Sequence, residues 1–170
     1  ADNKTKVYGD TNPVFTVTYA GWVNGETTAV LTGSPSLSSG VTTNSTVAGS
    51  PYTITITANT LASTNYNFVF INGALTVTPA PLTVSVTNAS RVYGQSNPVF
   101  SGVISGLRNA DIITATYSTS ATATSAVGSY SIMPTLVDPG NKLGNYTVIL
   151  NNGSLNVTAA SLTVTAANAS

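Results

Sequence analysis

Apolar and polar residues alternate in short runs along this chain, and the runs come in pairs. Tyr52, Ile54 and Ile56 alternate with Thr53, Thr55 and Thr57. Leu75 and Val77 alternate with Thr76 and Thr78, and Leu82, Val84 and Val86 with Thr83 and Ser85. Phe15, Val17 and Tyr19 do the same with Thr16 and Thr18. A period of two puts successive side chains on opposite faces, so each run predicts a half-buried β-strand. The β-branched and aromatic residues that fill them suit a pleated surface. The exceptions are Thr27–Leu31 and its counterpart Ile112–Thr116. There an acidic residue, Glu26 or Asp111, precedes a segment that predicts one helical turn.

The most explicit local signal occurs twice. Tyr66–Pro79 reads YNFVFINGALTVTP, and Tyr146–Ala159 reads YTVILNNGSLNVTA. Asn-Gly between alternating apolar residues predicts a two-residue type I′ turn, because both central residues need φ > 0. With Asn72-Gly73 as the turn, Phe70 faces Leu75 and Phe68 faces Val77. With Asn152-Gly153, Leu150 faces Leu155 and Val148 faces Val157. Each copy thus reads as a hairpin with one apolar face.

Other blocks recur in the same order. Val7-Tyr8-Gly9 with Asn12-Pro13 returns as Val92-Tyr93-Gly94 with Asn97-Pro98. The glycine supplies turn dihedrals, the Asn-Pro step holds the chain extended, and each tyrosine is expected to anchor the corner with a buried ring. Gly21–Glu26 matches Gly106–Asp111, and Gly49–Ile54 matches Gly128–Ile132. Ser34–Val47 and Tyr117–Ala126 differ most in length and predict a loop with a short edge strand. The predicted organisation is repeat 1 over residues 1–80, repeat 2 over 81–160, and the first strand of a third repeat over 161–170. Leu162-Thr163-Val164 repeats Leu82-Thr83-Val84, and repeat 1 is expected to lack the matching first strand within residues 1–80. Residues 161–170 are therefore expected to complete the open edge of repeat 1 in a neighbouring molecule by β-augmentation. Pro79 and Pro81 stiffen the junction between repeats, which predicts domains held end to end.

The predicted fold class is mainly β, two tandem small β domains of five to six strands each, with at most one short helix. A β-grasp-like sheet fits the element order. An immunoglobulin-like β-sandwich is the alternative, and periodicity does not separate the two.

Composition then narrows the function. Only 6% of the 170 residues are charged, with five acidic and five basic. A globular protein carries about 25%. Nucleic acid requires a clustered basic footprint, which is missing. No apolar run is long enough to span a membrane as a helix. There is no cysteine and no histidine, which removes disulfides, thiolate chemistry and imidazole catalysis. The five acidic residues, Asp2, Asp10, Glu26, Asp111 and Asp138, share no short motif. A calcium site needs several oxygen ligands together, so Asp138-Pro139-Gly140-Asn141 reads as a turn. Lys4, Lys6 and Lys142 read as solvated surface residues. No catalytic, cofactor-binding or metal residues emerge. Trp22, the single tryptophan, is the one ligand-binding candidate, as a sugar-stacking platform. Its counterpart is Leu107, which favours a core or interdomain contact.

Taken in order, the Val-Tyr-Gly-x-x-Asn-Pro block, Gly-x-x-Asn-x-(Glu/Asp), Gly-Ser-(Pro)-Tyr-x-Ile and Asn-Gly-x-Leu-x-Val-Thr together resemble the bacterial MBG domain of the YGX type. The resemblance spans nearly the whole chain, twice. Gln95 in place of Asp10 and Ala110 in place of Gly25 are local departures. The resemblance implies a non-catalytic repeat of a cell-surface or secreted adhesin, extracellular or on the bacterial surface. It would act as a rigid stalk that projects a distal binding region, with neighbouring repeats of the same chain as partners. The alternative is that each repeat is itself an adhesive module for glycan or protein. Neither reading involves a cofactor, nucleic acid or membrane insertion by this segment.

Overall fold

A computed structural model describes residues 1–166. It contains strands β1 (Lys4–Val7), β2 (Ser36–Ser38), β3 (Tyr52–Thr57), β4 (Gly73–Thr78), β5 (Ala80–Val86) and β6 (Ala89–Val92). They are followed by β7 (Gly102–Ser105), β8 (Thr114–Thr119), β9 (Gly128–Val137), β10 (Tyr146–Asn151) and β11 (Gly153–Thr158). Two single 3₁₀ turns, Thr28–Val30 and Leu143–Asn145, are the helical elements among the described residues. The fold is mainly β, as expected.

Two compact units form. Unit 1 comprises Ala1–Ala80 with Arg108–Ala110 and Lys142–Thr147. Unit 2 comprises Pro81–Leu107, Asp111–Asn141 and the chain from Val148 onward.

The main sheets of the two units follow one plan. In unit 1 the order is β1-β4-β3-β2, with β4 parallel to β1 and antiparallel to β3. In unit 2 it is β6-β11-β9-β8, with β11 parallel to β6 and antiparallel to β9. The central strands carry the core. Ile54, Leu75 and Val77 are buried in unit 1, and Ile132, Leu155 and Val157 in unit 2. Each such side chain contributes about 1.5–3 kcal/mol on leaving water. The intervening Thr53, Thr55 and Thr76 face solvent, which is the alternation visible in the sequence. A further sheet, β10-β5-β7, buries Leu82 and Val84 completely.

The expected hairpins do not form. Phe68 and Phe70 belong to no strand, and β4 pairs instead with β1 and β3. In the second copy β10 and β11 both form, but in different sheets. None of Asn72, Gly73, Asn152 and Gly153 has positive φ. The glycines are needed for close approach. A Cβ on Gly73 would lie 2.8 Å from the carbonyl oxygens of Ala1 and Asp2. A Cβ on Gly153 would lie 2.9 Å from Val86 Cγ1 and 3.0 Å from the Thr87 oxygen. Just beyond each glycine, Ala74 N–H donates to Asn3 Oδ1 and Ser154 N–H to Asn88 Oδ1, both at 2.8 Å.

A turn with two left-handed residues does exist, at Asn24-Gly25 (φ 53° and 70°) and at Asn109-Ala110 (φ 53° and 57°). Glu26 N–H closes the first onto the Val23 carbonyl at 3.0 Å. The chain therefore places its tight turn at the Asn-Gly whose flanks are not apolar strands.

Three smaller expectations also change. Val14–Ala20 alternates in burial but forms no ladder. Thr28–Val30 is the expected helical turn, with Thr27 as its N-cap, whereas Thr114 opens β8 in the second copy. Tyr8 is buried at 1% exposure, but Tyr93 is not a buried anchor, at 46%. Of the 161–170 overhang, 167–170 lie outside the described residues. Residues 161–166 are exposed and join no strand.

Candidate functional site

Two features are candidates, a duplicated corner and an aromatic cleft. The corner is built where the first strand of each main sheet ends. Tyr8 N–H donates to the Thr78 carbonyl and Tyr93 N–H to the Thr158 carbonyl, each at 2.8 Å. The next residue turns with positive φ, 87° at Gly9 and 86° at Gly94. Asn12 Nδ2 then donates to the Val41 carbonyl at 2.8 Å, and Asn97 Nδ2 to the Ala121 carbonyl at 2.6 Å. The asparagine of the Asn-Pro step thus ties the corner to the facing loop in both copies. Tyr52 and Tyr130 brace that loop through Thr46 and Ala126 carbonyls at 2.8 and 2.9 Å.

A buried cation sits beneath each corner. Lys6 Nζ donates to the Thr42 carbonyl at 2.7 Å and the Asp10 carbonyl at 3.0 Å. Arg91 donates from Nη2 to the Thr122 carbonyl and from Nε to Asn97 Oδ1 at 2.7 Å. Lys6 is therefore not a solvated surface lysine. Burial pushes its ammonium below its ordinary pKa, and the Asp10 charge opposes that shift. The signal was present in the sequence, since both copies place a cation directly before Val-Tyr-Gly. Each buried cation is held by oxygens of the protein itself, which makes this a structural clamp.

In unit 1 the corner is covered. Tyr8 meets Tyr146 edge-on, with ring centroids 5.6 Å apart and planes at 78°. Asn109 Nδ2 donates to the Thr43 carbonyl at 2.9 Å, and Val47 N–H to Asn145 Oδ1 at 2.9 Å. Arg108 pairs with Asp10 at 3.6 Å across partly exposed surface, which gives Asp10 a local role that Gln95 lacks.

The cleft lies in unit 1 and encloses about 350 Å³. Val17–Ala20 and Tyr66–Ile71 form two of its walls, with Trp22, Leu31 and Ile56 among the rest. Its aromatic lining falls into two groups. Trp22 meets Tyr66 edge-on at 5.4 Å and Tyr19 at 6.0 Å, and Phe68 stacks on Phe70 at 6.1 Å. Trp22 is half-buried in this cluster. The Tyr66 hydroxyl donates to Glu26 Oε2 and accepts from Val23 N–H at 3.2 Å. The bond to Glu26 raises the Tyr66 pKa above its ordinary 10.0. One wall is pinned by Asp2, whose carboxylate accepts from Thr16 and Thr18 hydroxyls. Those bonds, Thr16 first, hold its pKa below the ordinary 3.8.

The remaining candidate chemistry is not brought together. No cluster of three or more possible metal ligands exists among the described residues. Asp10 and Glu26 have separate partners, Arg108 and Tyr66. No described helix is long and apolar enough to cross a membrane.

The duplicated sheet plan and corner define a tandem-repeat β protein. The family model for the MBG domain (YGX type) matches the chain twice, over residues 1–76 and 82–156, and the chain belongs to that family. No curated protein and no solved structure matches it.

Proposed function

We propose that the chain is a non-catalytic, load-bearing repeat of a bacterial surface or secreted adhesin-like protein. One observation carries this reading. In unit 1 the first strand and the last strand lie side by side and parallel, in the register Lys4↔Leu75 to Val7↔Thr78. Tension enters unit 1 at the N-terminal end of β1 and leaves at the C-terminal end of β4. In a parallel pair those two ends are opposite, so the strands are sheared and their ladder bonds share the load. β6 and β11 repeat the arrangement, Ala89↔Leu155 to Val92↔Thr158. A domain that resists tension this way suits a spacer that keeps a distal region away from a surface. Single-molecule pulling from the two ends tests it. A high-force rupture is expected, and unravelling at low force would sink the idea.

The aromatic cleft favours a second reading, an adhesive module that stacks a glycan on Trp22 and Tyr66. The corresponding space in unit 2 is taken by β5, so this site is not a shared property of the repeats. A glycan array probed with wild-type chain and Trp22→Ala separates the two readings.

A further inference from the structure

The compact units and the sequence repeats do not share a boundary. Two segments of the second repeat, Arg108–Ala110 and Lys142–Thr147, belong to compact unit 1. Both close on the Tyr8 corner and on residues 42–47 beside it. The left-handed turn at Asn109-Ala110 presents Asn109, whose Nδ2 donates to the Thr43 carbonyl at 2.9 Å. Gly9 N–H donates to the same carbonyl at 3.3 Å. From the other segment, Asn145 Oδ1 accepts from Val47 N–H at 2.9 Å, and the Tyr146 ring meets Tyr8 edge-on. Asn145, Tyr146 and Tyr8 are all buried. The approach is close, since a Cβ on Gly9 would lie 2.6 Å from Arg108 Cβ. The two segments also hold each other, because Arg108 N–H donates to the Tyr146 hydroxyl at 2.9 Å.

The loop they close on supplies the cation clamp. The Thr42 carbonyl accepts from Lys6 Nζ at 2.7 Å, and Lys6 lies on β1. A chain of bonded residues therefore runs from Asn109 and Asn145 of the second repeat, through residues 42–47, to the first strand of unit 1. Each end of that chain is anchored in unit 2. Leu107 and Asp111 of unit 2 flank one segment, and Asn141 and Val148 of unit 2 flank the other.

We propose that the second repeat locks the first. Asn109, Asn145 and Tyr146 hold the Tyr8 corner shut only while unit 2 is folded, so the two repeats lose their folds together rather than one at a time. In a repeat protein such a contact is an interface contribution shared by neighbours, and the coupling is reciprocal. This goes beyond the load-bearing reading and does not depend on it.

Thermal unfolding of the full chain, followed by Trp22 emission, tests the proposal. The single tryptophan lies in unit 1 and reports that unit. Ile132 is fully buried in the core of unit 2, so Ile132→Asp should unfold that unit from within, as far-UV circular dichroism checks. The Trp22 midpoint should then fall by about 4–8 °C or more. Asn109→Asp leaves the unit 2 core untouched and keeps a residue that tolerates the left-handed turn, but removes the donor to Thr43. It should lower the Trp22 midpoint by about 4–8 °C, the shift of one lost hydrogen bond in a domain of this size. A Trp22 midpoint that stays put while circular dichroism shows unit 2 unfolded overturns the proposal. Where Ile132→Asp remains folded, Asn109→Asp decides alone, and an unmoved midpoint there overturns the proposal as well.

Discussion

Tyr8 and Tyr93 hold the same place in their repeats, yet Tyr8 is 1% exposed against Tyr146 and Tyr93 is 46% exposed. The backbone around them is the same, with matching bonds to Thr78 and Thr158. Environment, not local sequence, separates them. Tyr8→Ala should therefore cost about 3–5 kcal/mol, as loss of a buried ring does. Tyr93→Ala should stay within about 1 kcal/mol, close to the range of surface substitutions. Urea unfolding followed by Trp22 fluorescence isolates unit 1, which holds the single tryptophan. Circular dichroism follows both units.

The buried cations give a second prediction. Lys6→Met removes the donor to the Thr42 and Asp10 carbonyls. It should destabilise unit 1 by about 1–3 kcal/mol, the cost of orphaning a buried polar group. Lys6→Arg should recover most of that, because Arg91 makes the equivalent bond to the Thr122 carbonyl in unit 2. An unchanged stability in Lys6→Met would mean that the carbonyls do not need a cation.

The glycines predict different outcomes by position. Gly25 has φ 70° with no atom within 4 Å of an added Cβ, so Gly25→Ala should cost only the left-handed backbone penalty, about 1–2 kcal/mol. Ala110 already bears that penalty at φ 57°, so Ala110→Gly should be neutral or stabilising by up to about 1 kcal/mol. Gly73→Ala should be disruptive for a steric reason, because its Cβ would push into the backbone of Ala1 and Asp2. Thermal unfolding of the three variants checks the ranking.

Asp2 makes stability acid-sensitive in a defined sense. Hydrogen bonds from Thr16 and Thr18 hold its folded pKa below 3.8. The folded state then binds fewer protons than the unfolded chain in that window. Its contribution is present above the ordinary pKa and is lost as pH falls through the lowered one. Asp2→Asn should flatten the loss of stability below pH 3.8 while leaving neutral-pH packing in place. Denaturant midpoints across the acid range measure it. An unchanged slope would show that the Thr16 and Thr18 bonds do not hold the charge.

Much of the fold was legible because alternation reports burial directly. Leu75, Val77, Leu82, Val84 and Ile54 are core residues, as their spacing implies. Pairing was not legible. Asn72-Gly73 satisfies the local rule for a hairpin, but β1 arrives from far along the chain to lie parallel with β4, and Gly73 serves that approach. Periodicity within a strand carries no information about its partner. Trp22 could be singled out, yet the cleft around it could not, since its walls Val17–Ala20 and Tyr66–Ile71 are distant in sequence. The buried role of Lys6 was missed because a lone cation in a polar chain looks solvated. Its alignment with Arg91 was the available clue.

The central claim is that parallel pairing of β1 and β4 lets unit 1 bear load in shear. It is tested most directly by pulling in two geometries. Handles at residues 1 and 78 pull the opposite ends of the β1/β4 pair. Handles at residues 1 and 72 pull the same end, so its ladder opens one bond at a time. The account predicts a several-fold higher rupture force in the first geometry. Equal forces in the two would contradict it.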